Sequence, residues 1–170
     1  MTSTTVQVHR VYIKAKPQAV WEAITDPEWT QKYGYGTGFE TAPRPGQPYR
    51  MLTTDDMRKA GAEMGFEVPD VAVDGEVVSM DPPHRLVLTW RMAMDAGIAA
   101  EGFTRLTYEI EEVPNQAGYT KLTVVHDLEG APNLALLVAG EQEATGAGGG
   151  WPWVLSDLKS LLETGAGLAG

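Results

Sequence analysis

The clearest periodic pattern of the chain lies near its C-terminal end. Between residues 151 and 163, apolar side chains recur every three or four positions and the residues between them are polar, as in an amphipathic helix. The apolar positions are Trp151, Val154, Leu155, Leu158, Leu161 and Leu162. Pro152 in the first turn and Gly165 beyond the last turn suit the two ends of a helix. The pattern predicts a closing helix roughly 18 Å long.

The middle of the chain alternates with a period of two. Leu106, Tyr108 and Ile110 alternate with polar residues in segment 103–113, as do Leu122, Val124, His126 and Leu128 in segment 119–128. Such alternation is typical of strands that bury one face. Segments 71–80 and 85–92 flank an Asp-Pro-Pro-His turn, and segment 114–118 is a second turn. The pattern therefore predicts two antiparallel hairpins.

The N-terminal third predicts short elements. Segment 5–13 is rich in β-branched residues, as strands are. Pro17 favours a helix start, and Asp26 before Pro27 ends this helix and caps a second one that runs to about residue 32. Segments 39–41 and 49–53 are expected to be short strands, and 131–143 to hold a short helix. Segment 55–69 reads as a loop or a short mobile helix.

These elements place one helix against about six strands. A sheet of six strands is about 25 Å wide, whereas a helix is only about 10 Å across. A flat sheet would leave apolar surface bare, so we expect a strongly curved sheet that wraps the closing helix. Any volume that side chains do not fill would become an apolar pocket. The alternative is a fully packed core, which is the default for protein interiors.

Composition and charge narrow the classes of function. A chain of 170 residues with 43% apolar and 21% charged residues fits one domain, expected over 1–170. The net charge is −10 and no basic stripe exists, so nucleic-acid binding is not expected. Because there is no apolar run of about 18 residues and no secretory signal, we expect no membrane span and a cytoplasmic location. Cysteine is absent, which excludes thiolate chemistry.

Five segments of the chain form a recognisable set. They are Pro17-x-x-Val20-Trp21-x-x-Ile24-Thr25-Asp26-Pro27-Glu28, Pro45-Gly46-x-Pro48-Tyr49-Arg50, Gly75-Glu76-Val77 with segment 81–90, segment 120–126, and Gly150-Trp151-x-x-Val154-Leu155-x-x-Leu158. Together they resemble the heat-shock-protein-90 ATPase activator homologue family. The resemblance implies an α+β, START-like (SRPBCC) helix-grip fold. That fold is a curved antiparallel sheet of six or seven strands around a long C-terminal helix, with two short helices.

The resemblance also implies a class of function. Members of this superfamily bind lipids, polyketides or other apolar small molecules, or serve a chaperone. We therefore expect an apolar ligand, lipid-like or polyketide-like, between the sheet and the closing helix. Alternatives are a polyketide cyclase-type enzyme, a chaperone ATPase regulator, or an antibiotic-sequestering resistance protein. The chain contains no nucleophile, phosphate-binding or dinucleotide motif, so no cofactor is expected and an enzymatic role has no motif to support it. The oligomeric state stays open.

The candidate ligand-binding residues are aromatic, methionine and aliphatic side chains, together with one histidine. They are Trp21, Met51, Met64, Phe66, Trp90, Met92, Tyr108, Val124, His126, Trp151, Leu155 and Leu158. Thioethers adapt to varied apolar shapes, and indole rings offer a flat face with one donor. Met64 and Phe66 on a polar segment suggest a lid.

His126 shares the inward face of its predicted strand with Leu122 and Val124. It could orient a ligand or move a proton, and the alternative is a core histidine held by a neighbour. Its potential partners are Tyr108 on the paired strand, and Arg91 or Glu109 if a bulge turns them inward. His9 and His84 lie too far away along the pattern to complete a three-histidine metal site, so no metal is expected.

Overall fold

The computed structural model describes residues 5–115, 118–146 and 148–168. Within these ranges seven strands form one antiparallel sheet in the order β1-β7-β6-β5-β4-β3-β2. The strands are Val6–Ile13 (β1), Gly38–Phe39 (β2), Pro48–Leu52 (β3), Val71–Asp81 (β4), Arg85–Met92 (β5), Thr104–Glu112 (β6) and Thr120–Asp127 (β7). The predicted fold class and both hairpins are confirmed. The turn at 114–118 and the predicted domain 1–170 each include residues outside the described ranges.

Six helices lie among the described residues. They are Pro17–Thr25 (α1), Pro27–Thr30 (α2), Asp55–Glu63 (α3), Ala96–Ala99 (α4), Pro132–Val138 (α5) and Gly150–Thr164 (α6). Asp26 caps α2 as predicted, because its carboxylate accepts the Glu28 amide at 2.9 Å. Of the two readings for 55–69, the short helix is correct for its first nine residues, where the Thr54 hydroxyl accepts the Met57 amide at 3.1 Å. The sequence did not predict α4.

The sheet bends where its ladder is irregular. The pairing register shifts between Met51 and Leu52 in β3 and between Val77 and Ser79 in β4. Bulges of this kind bend a strand and increase its twist. Near the second shift, Gly75 lets the β4 backbone approach β5 so closely that a Cβ would overlap the Thr89 carbonyl. The curvature turns the inner face of the sheet toward α6.

Helix α6 is fixed at both ends. At its start, Gly150 has φ +66°, and a Cβ there would overlap the Val138 carbonyl at the end of α5. Toward its end, α6 lies against β1, where the Lys159 ammonium donates to the Tyr12 carbonyl at 2.7 Å. The anchors hold the first turn of α6, with Trp151, over the inner face of the sheet.

The centre of the inner face is fully buried. Seven side chains of β5, β6 and β7 on this face have no exposed surface: Leu86, Leu88, Leu106, Ile110, Leu122, Val124 and His126. Helix α1 adds Val20, Trp21 and Ile24 to the same core. Among the described residues, no helix has both the length and the apolar character needed to cross a membrane.

Candidate ligand site on the inner face of the sheet

His126 makes hydrogen bonds through both of its ring nitrogens. The Trp151 indole N–H donates to His126 Nδ1 at 3.1 Å. On the other side, His126 Nε2 lies 2.8 Å from the Thr104 hydroxyl oxygen, and that hydroxyl also lies 2.8 Å from the Trp90 carbonyl, to which it donates. The chain of bonds therefore links β5, β6, β7 and the first turn of α6.

These bonds determine the tautomer of His126. An indole nitrogen can only donate, so Nδ1 carries no proton. The single hydroxyl proton of Thr104 is given to the Trp90 carbonyl, so the hydroxyl must accept a proton from Nε2. Burial, and after it the nearby His9, lowers the pKa of His126 to about 3. The ring is neutral at physiological pH, and neither nitrogen is free to transfer a proton to a ligand.

The partners expected for His126 were wrong. Tyr108 does not bond to it, because the positions of Thr104 and Trp151 satisfy both nitrogens. Arg91 points to the outer face, where it makes a two-point ion pair with Asp74 at 2.7 and 3.0 Å. Glu109 also belongs to the outer face, opposite Arg85 and Thr123. His126 is thus a core histidine, the alternative stated above, held by residues other than those named.

The rings of Trp90 and Trp151 pack against this histidine, and Tyr108 packs against Trp151; we call Trp90, Tyr108 and Trp151 the inner aromatic cluster. The ring centroids of Trp90 and Trp151 are 6.5 Å apart, and those of Tyr108 and Trp151 are 6.1 Å apart, edge to face. Such spacings are favourable for aromatic pairs. The cluster joins three of the predicted site residues around the start of α6.

Tyr108 differs from the other polar groups of the interior. Its hydroxyl makes no hydrogen bond to any described residue. Among the described residues, however, every side-chain nitrogen or oxygen that is fully buried has a hydrogen-bond partner. The hydroxyl must therefore reach space that water can enter. Burial also raises the pKa of Tyr108 well above its usual value, so the group is deep in the fold and stays protonated. Tyr108 thus presents a neutral hydroxyl that has no hydrogen-bond partner among the described residues.

Two other tyrosines near Tyr108 have paired hydroxyls. Tyr33 donates to the Ala23 carbonyl at 2.9 Å, and Tyr49 donates to the Thr89 carbonyl at 2.6 Å. Burial, followed by the proximity of Tyr108, raises the pKa of both groups. The three rings pack on the same hydrophobic core. Of the three hydroxyls, Tyr108 alone lacks a partner among the described residues.

Part of the inner face keeps accessible surface. We call Met51, Met80, Trp90, Met92 and Tyr108 the half-buried group, because all of them pack on the core without being fully buried. They lie on strands β3 to β6, away from β1, against which α6 lies. Ligand sites are concave and lined mostly by apolar side chains, and this group supplies apolar side chains of that kind.

The other predicted site residues divide into two sets. Trp21, Val124, Leu155 and Leu158 are buried in the core beside the cluster. Met64 and Phe66 follow α3 and are 75% and 54% exposed, and they lie outside the inner-face group. Phe66 instead folds back toward Gly61 of α3, whose carbonyl accepts the Phe66 amide at 2.9 Å.

Two hollows open elsewhere on the surface. One of about 330 Å³ lies beside Asp157 and the loop that follows α2. The other, of about 460 Å³, lies at the His84 turn beside the charged end of β6. Neither is lined by a predicted site residue. Among the described residues, no group of three or more histidine or acidic side chains is arranged to hold a metal.

Sequence reasoning missed Thr104, Tyr33 and Tyr49. Thr104 could have been found, because the alternation of Leu106, Tyr108 and Ile110 extends back by one step to it. Tyr49 likewise lies in a predicted strand. Tyr33 lies in a loop, where no periodic signal says which way a side chain points.

Comparison with known proteins agrees with this architecture. The sequence profile of the family described as "Activator of Hsp90 ATPase homolog 1-like protein" matches residues 14–163. No curated protein matches the chain at a significant level.

Solved structures share the fold at low sequence identity. DynU16, a protein from the dynemicin biosynthetic locus, has a TM-score of 0.65 and 22% identity, covering 97% of this chain and 49% of DynU16. The Aha1 dimer from Colwellia psychrerythraea has a TM-score of 0.58 and 19% identity, covering 95% and 98% of the two chains. PFC0360w, an Hsp90 activator from Plasmodium falciparum, has a TM-score of 0.52 and 17% identity, covering 72% of each chain. At these identities the likeness concerns the fold alone.

Proposed function

The chain belongs to the family of Activator of Hsp90 ATPase homolog 1-like proteins, and on that premise we propose that it binds an apolar small molecule between the sheet and α6. The ligand would lie against the half-buried group, with Trp90 and Trp151 as flat apolar surfaces. The observation that carries the proposal is the free hydroxyl of Tyr108 among apolar side chains. Interior polar groups are normally paired, and we propose that the polar group of a ligand pairs with this one in place of water.

The energetics explain why such an anchor is needed. Burying about 300 Å² of apolar ligand surface stabilises the complex by roughly 7 kcal/mol at 25 cal/mol per Å². Association costs at least about 4 kcal/mol, so apolar contact alone would give a Kd in the millimolar range. A hydrogen bond to Tyr108 adds about 1 kcal/mol and selects the ligand's orientation.

Titration of tryptophan fluorescence, with native mass spectrometry, tests the proposal. The probes are a neutral lipid, monoolein, and a neutral fused-ring polyketide, chrysophanol. We expect at least one probe to change the emission of Trp90 and Trp151 and to form a 1:1 complex. Tyr108→Phe should weaken that complex about fivefold, because one hydrogen bond is lost.

The matched control is Tyr12→Phe. Tyr12 lies on the outer face of β1 and is 52% exposed, so its hydroxyl is remote from the inner face and the change should leave the affinity unaltered. If neither probe shifts the emission or the mass of the wild-type protein, the proposal is wrong.

Chaperone regulation is a second candidate, supported by the family description and by the likeness to the Plasmodium falciparum activator. The net charge of −10 would make such an association sensitive to salt. Purified Hsp90 should then show a higher ATPase rate with the protein at 50 mM salt, and a smaller increase at 500 mM. An unchanged rate at low salt would exclude this role.

A further inference from the structure

Except at one strand end, the charges of the central strands lie on the outer face. On β5, β6 and β7 the inward-facing positions are Leu86, Leu88, Trp90, Met92, Thr104, Leu106, Tyr108, Ile110, Thr120, Leu122, Val124 and His126, together with Glu112, which is exposed at the end of β6. The outward-facing positions between them carry Arg85, Arg91, Arg105, Glu109, Glu111, Lys121 and Asp127. None of the inward-facing positions places a lysine, arginine or carboxylate side chain in the interior.

The titratable groups near the interior are neutral or already paired. His126 is neutral for the reasons given above, and burial lowers the pKa of His9. The buried carboxylate of α6, Asp157, accepts the Gly34 amide at 2.8 Å and the Leu168 amide at 2.7 Å. It borders the hollow outside the sheet and is not part of the half-buried group. A charged ligand would therefore find no counter-ion here.

Placing a charge in such a site is unfavourable for either sign. An ion that leaves water without a partner loses its hydration, and nothing in the site replaces it. The net charge of −10 repels anions at longer range as well. Aromatic rings can hold cations, but here Trp90, Tyr108 and Trp151 pack against one another, and a cation between any two of them would have to separate the rings.

From this placement of charges we infer that the site takes an uncharged, ring-bearing ligand whose single polar group, a hydroxyl or a carbonyl, lies deep in the site against the hydroxyl of Tyr108. The inference rests on the proposed function and adds the ligand class to it. The neutral Tyr108 hydroxyl can donate to a carbonyl or accept from a hydroxyl. Acidic ligands such as free fatty acids are thereby excluded.

Three probes that share one ring system test the inference. They are 1-pyrenemethanol, pyrene-1-carboxylate and 1-pyrenemethylamine, which at pH 7.5 are neutral, anionic and cationic. The same three substituents on naphthalene provide a smaller series. Binding is measured by energy transfer from tryptophan to pyrene, and by quenching for naphthalene. We expect the alcohol to bind and the two ions to bind at least about tenfold more weakly.

Variants separate deep binding from binding at the surface. Tyr108→Phe should weaken the alcohol about fivefold and leave the ions unchanged, whereas Tyr12→Phe should change none of the three. If the carboxylate binds as tightly as the alcohol and is insensitive to Tyr108→Phe, its polar group stays in water. The inference is then wrong while the proposed function survives.

Two further outcomes are decisive. Tightest binding by the amine would mean that the aromatic rings hold a cation, and would overturn the inference. Failure of both alcohols, together with monoolein and chrysophanol, would overturn the proposed function and the inference with it.

Discussion

Two polar side chains on the inner face of the sheet have opposite environments. His126 of β7 lies opposite Leu106, and Tyr108 of β6 lies opposite Val124, so the two occupy equivalent places in neighbouring strands. His126 is fully buried and bonded on both sides by Thr104 and Trp151. Tyr108 has no partner among the described residues and keeps accessible surface.

The difference follows from the position of α6. Its first turn brings the Trp151 N–H onto His126, and the same ring meets Tyr108 only edge to face. His126 thus bonds α6 to the sheet, whereas the Tyr108 hydroxyl has no partner among the described residues. The comparison assigns a stabilising role to His126 and leaves Tyr108 as the residue proposed to recognise a ligand.

The largest effect is expected for the substitution His126→Leu. The change leaves the buried Trp151 N–H without an acceptor and breaks the chain through Thr104. We expect a loss of about 3 kcal/mol in the free energy of unfolding, measured by urea denaturation.

His9→Leu is the matched control for that substitution. His9 shares the inner face but is half-buried, and among the described residues its ring bonds only to the neighbouring Gln7, at 3.0 Å. A loss below about 1 kcal/mol is expected. Equal losses of unfolding free energy for His126→Leu and His9→Leu would mean that the hydrogen bonds of His126 contribute no more to stability than the bond of His9.

A pH effect of intermediate size follows from the same ring. The pKa of His126 is about 3 in the folded protein and about 6.5 in the unfolded chain. The unfolded state therefore binds more protons as the pH falls below about 6.5. Stability is complete above that pH and decreases by about 1.4 kcal/mol per unit below it, or about 2 kcal/mol at pH 5.

Urea denaturation between pH 7.5 and 5 measures this decrease. The lowered pKa of His9 acts in the same direction, so the wild-type slope contains both contributions. His126→Leu should remove the larger part of the slope and His9→Leu the smaller part. A slope that His126→Leu leaves intact would show that carboxylates, and not this ring, cause it.

The smallest effect separates two tyrosines. Tyr49→Phe removes a hydroxyl that donates to the Thr89 carbonyl, and about 1 kcal/mol of stability should be lost. Tyr108→Phe removes a hydroxyl without a partner among the described residues, and the change in stability should stay within about 0.5 kcal/mol. Thermal or urea denaturation of both variants without ligand gives the comparison. The reverse order would mean that Tyr108 has a partner within the fold.

Much of the fold could be predicted because its signals are local. The stripe that begins at Trp151 has the helical period, and the alternation around Tyr108 and His126 has the strand period, whatever the remainder of the chain does. Helix α4 was missed because four residues hold too little pattern to show a period. Helix α3 was predicted only as one of two alternatives, because its polar composition resembles that of a loop.

The site was predicted less completely. Alternation showed that Trp90, Tyr108 and His126 face inward, and the helical stripe showed the same for Trp151. Neither pattern could show that Met64 and Phe66 stay on the surface, because no periodic pattern relates the segment after α3 to the sheet. Nor could either pattern identify Thr104 and Trp151 as the partners of His126, since those contacts join β6, β7 and α6.

The sequence by itself determined the order of helices and strands, the side of each strand that is buried and the absence of charge from the central inner face. These properties depend on neighbours within a few residues. Only the tertiary structure decided that His126 is locked and Tyr108 is free. A hydrogen bond needs two groups within about 3 Å, and whether residues 25 positions apart come that close depends on how α6 is seated on the curved sheet.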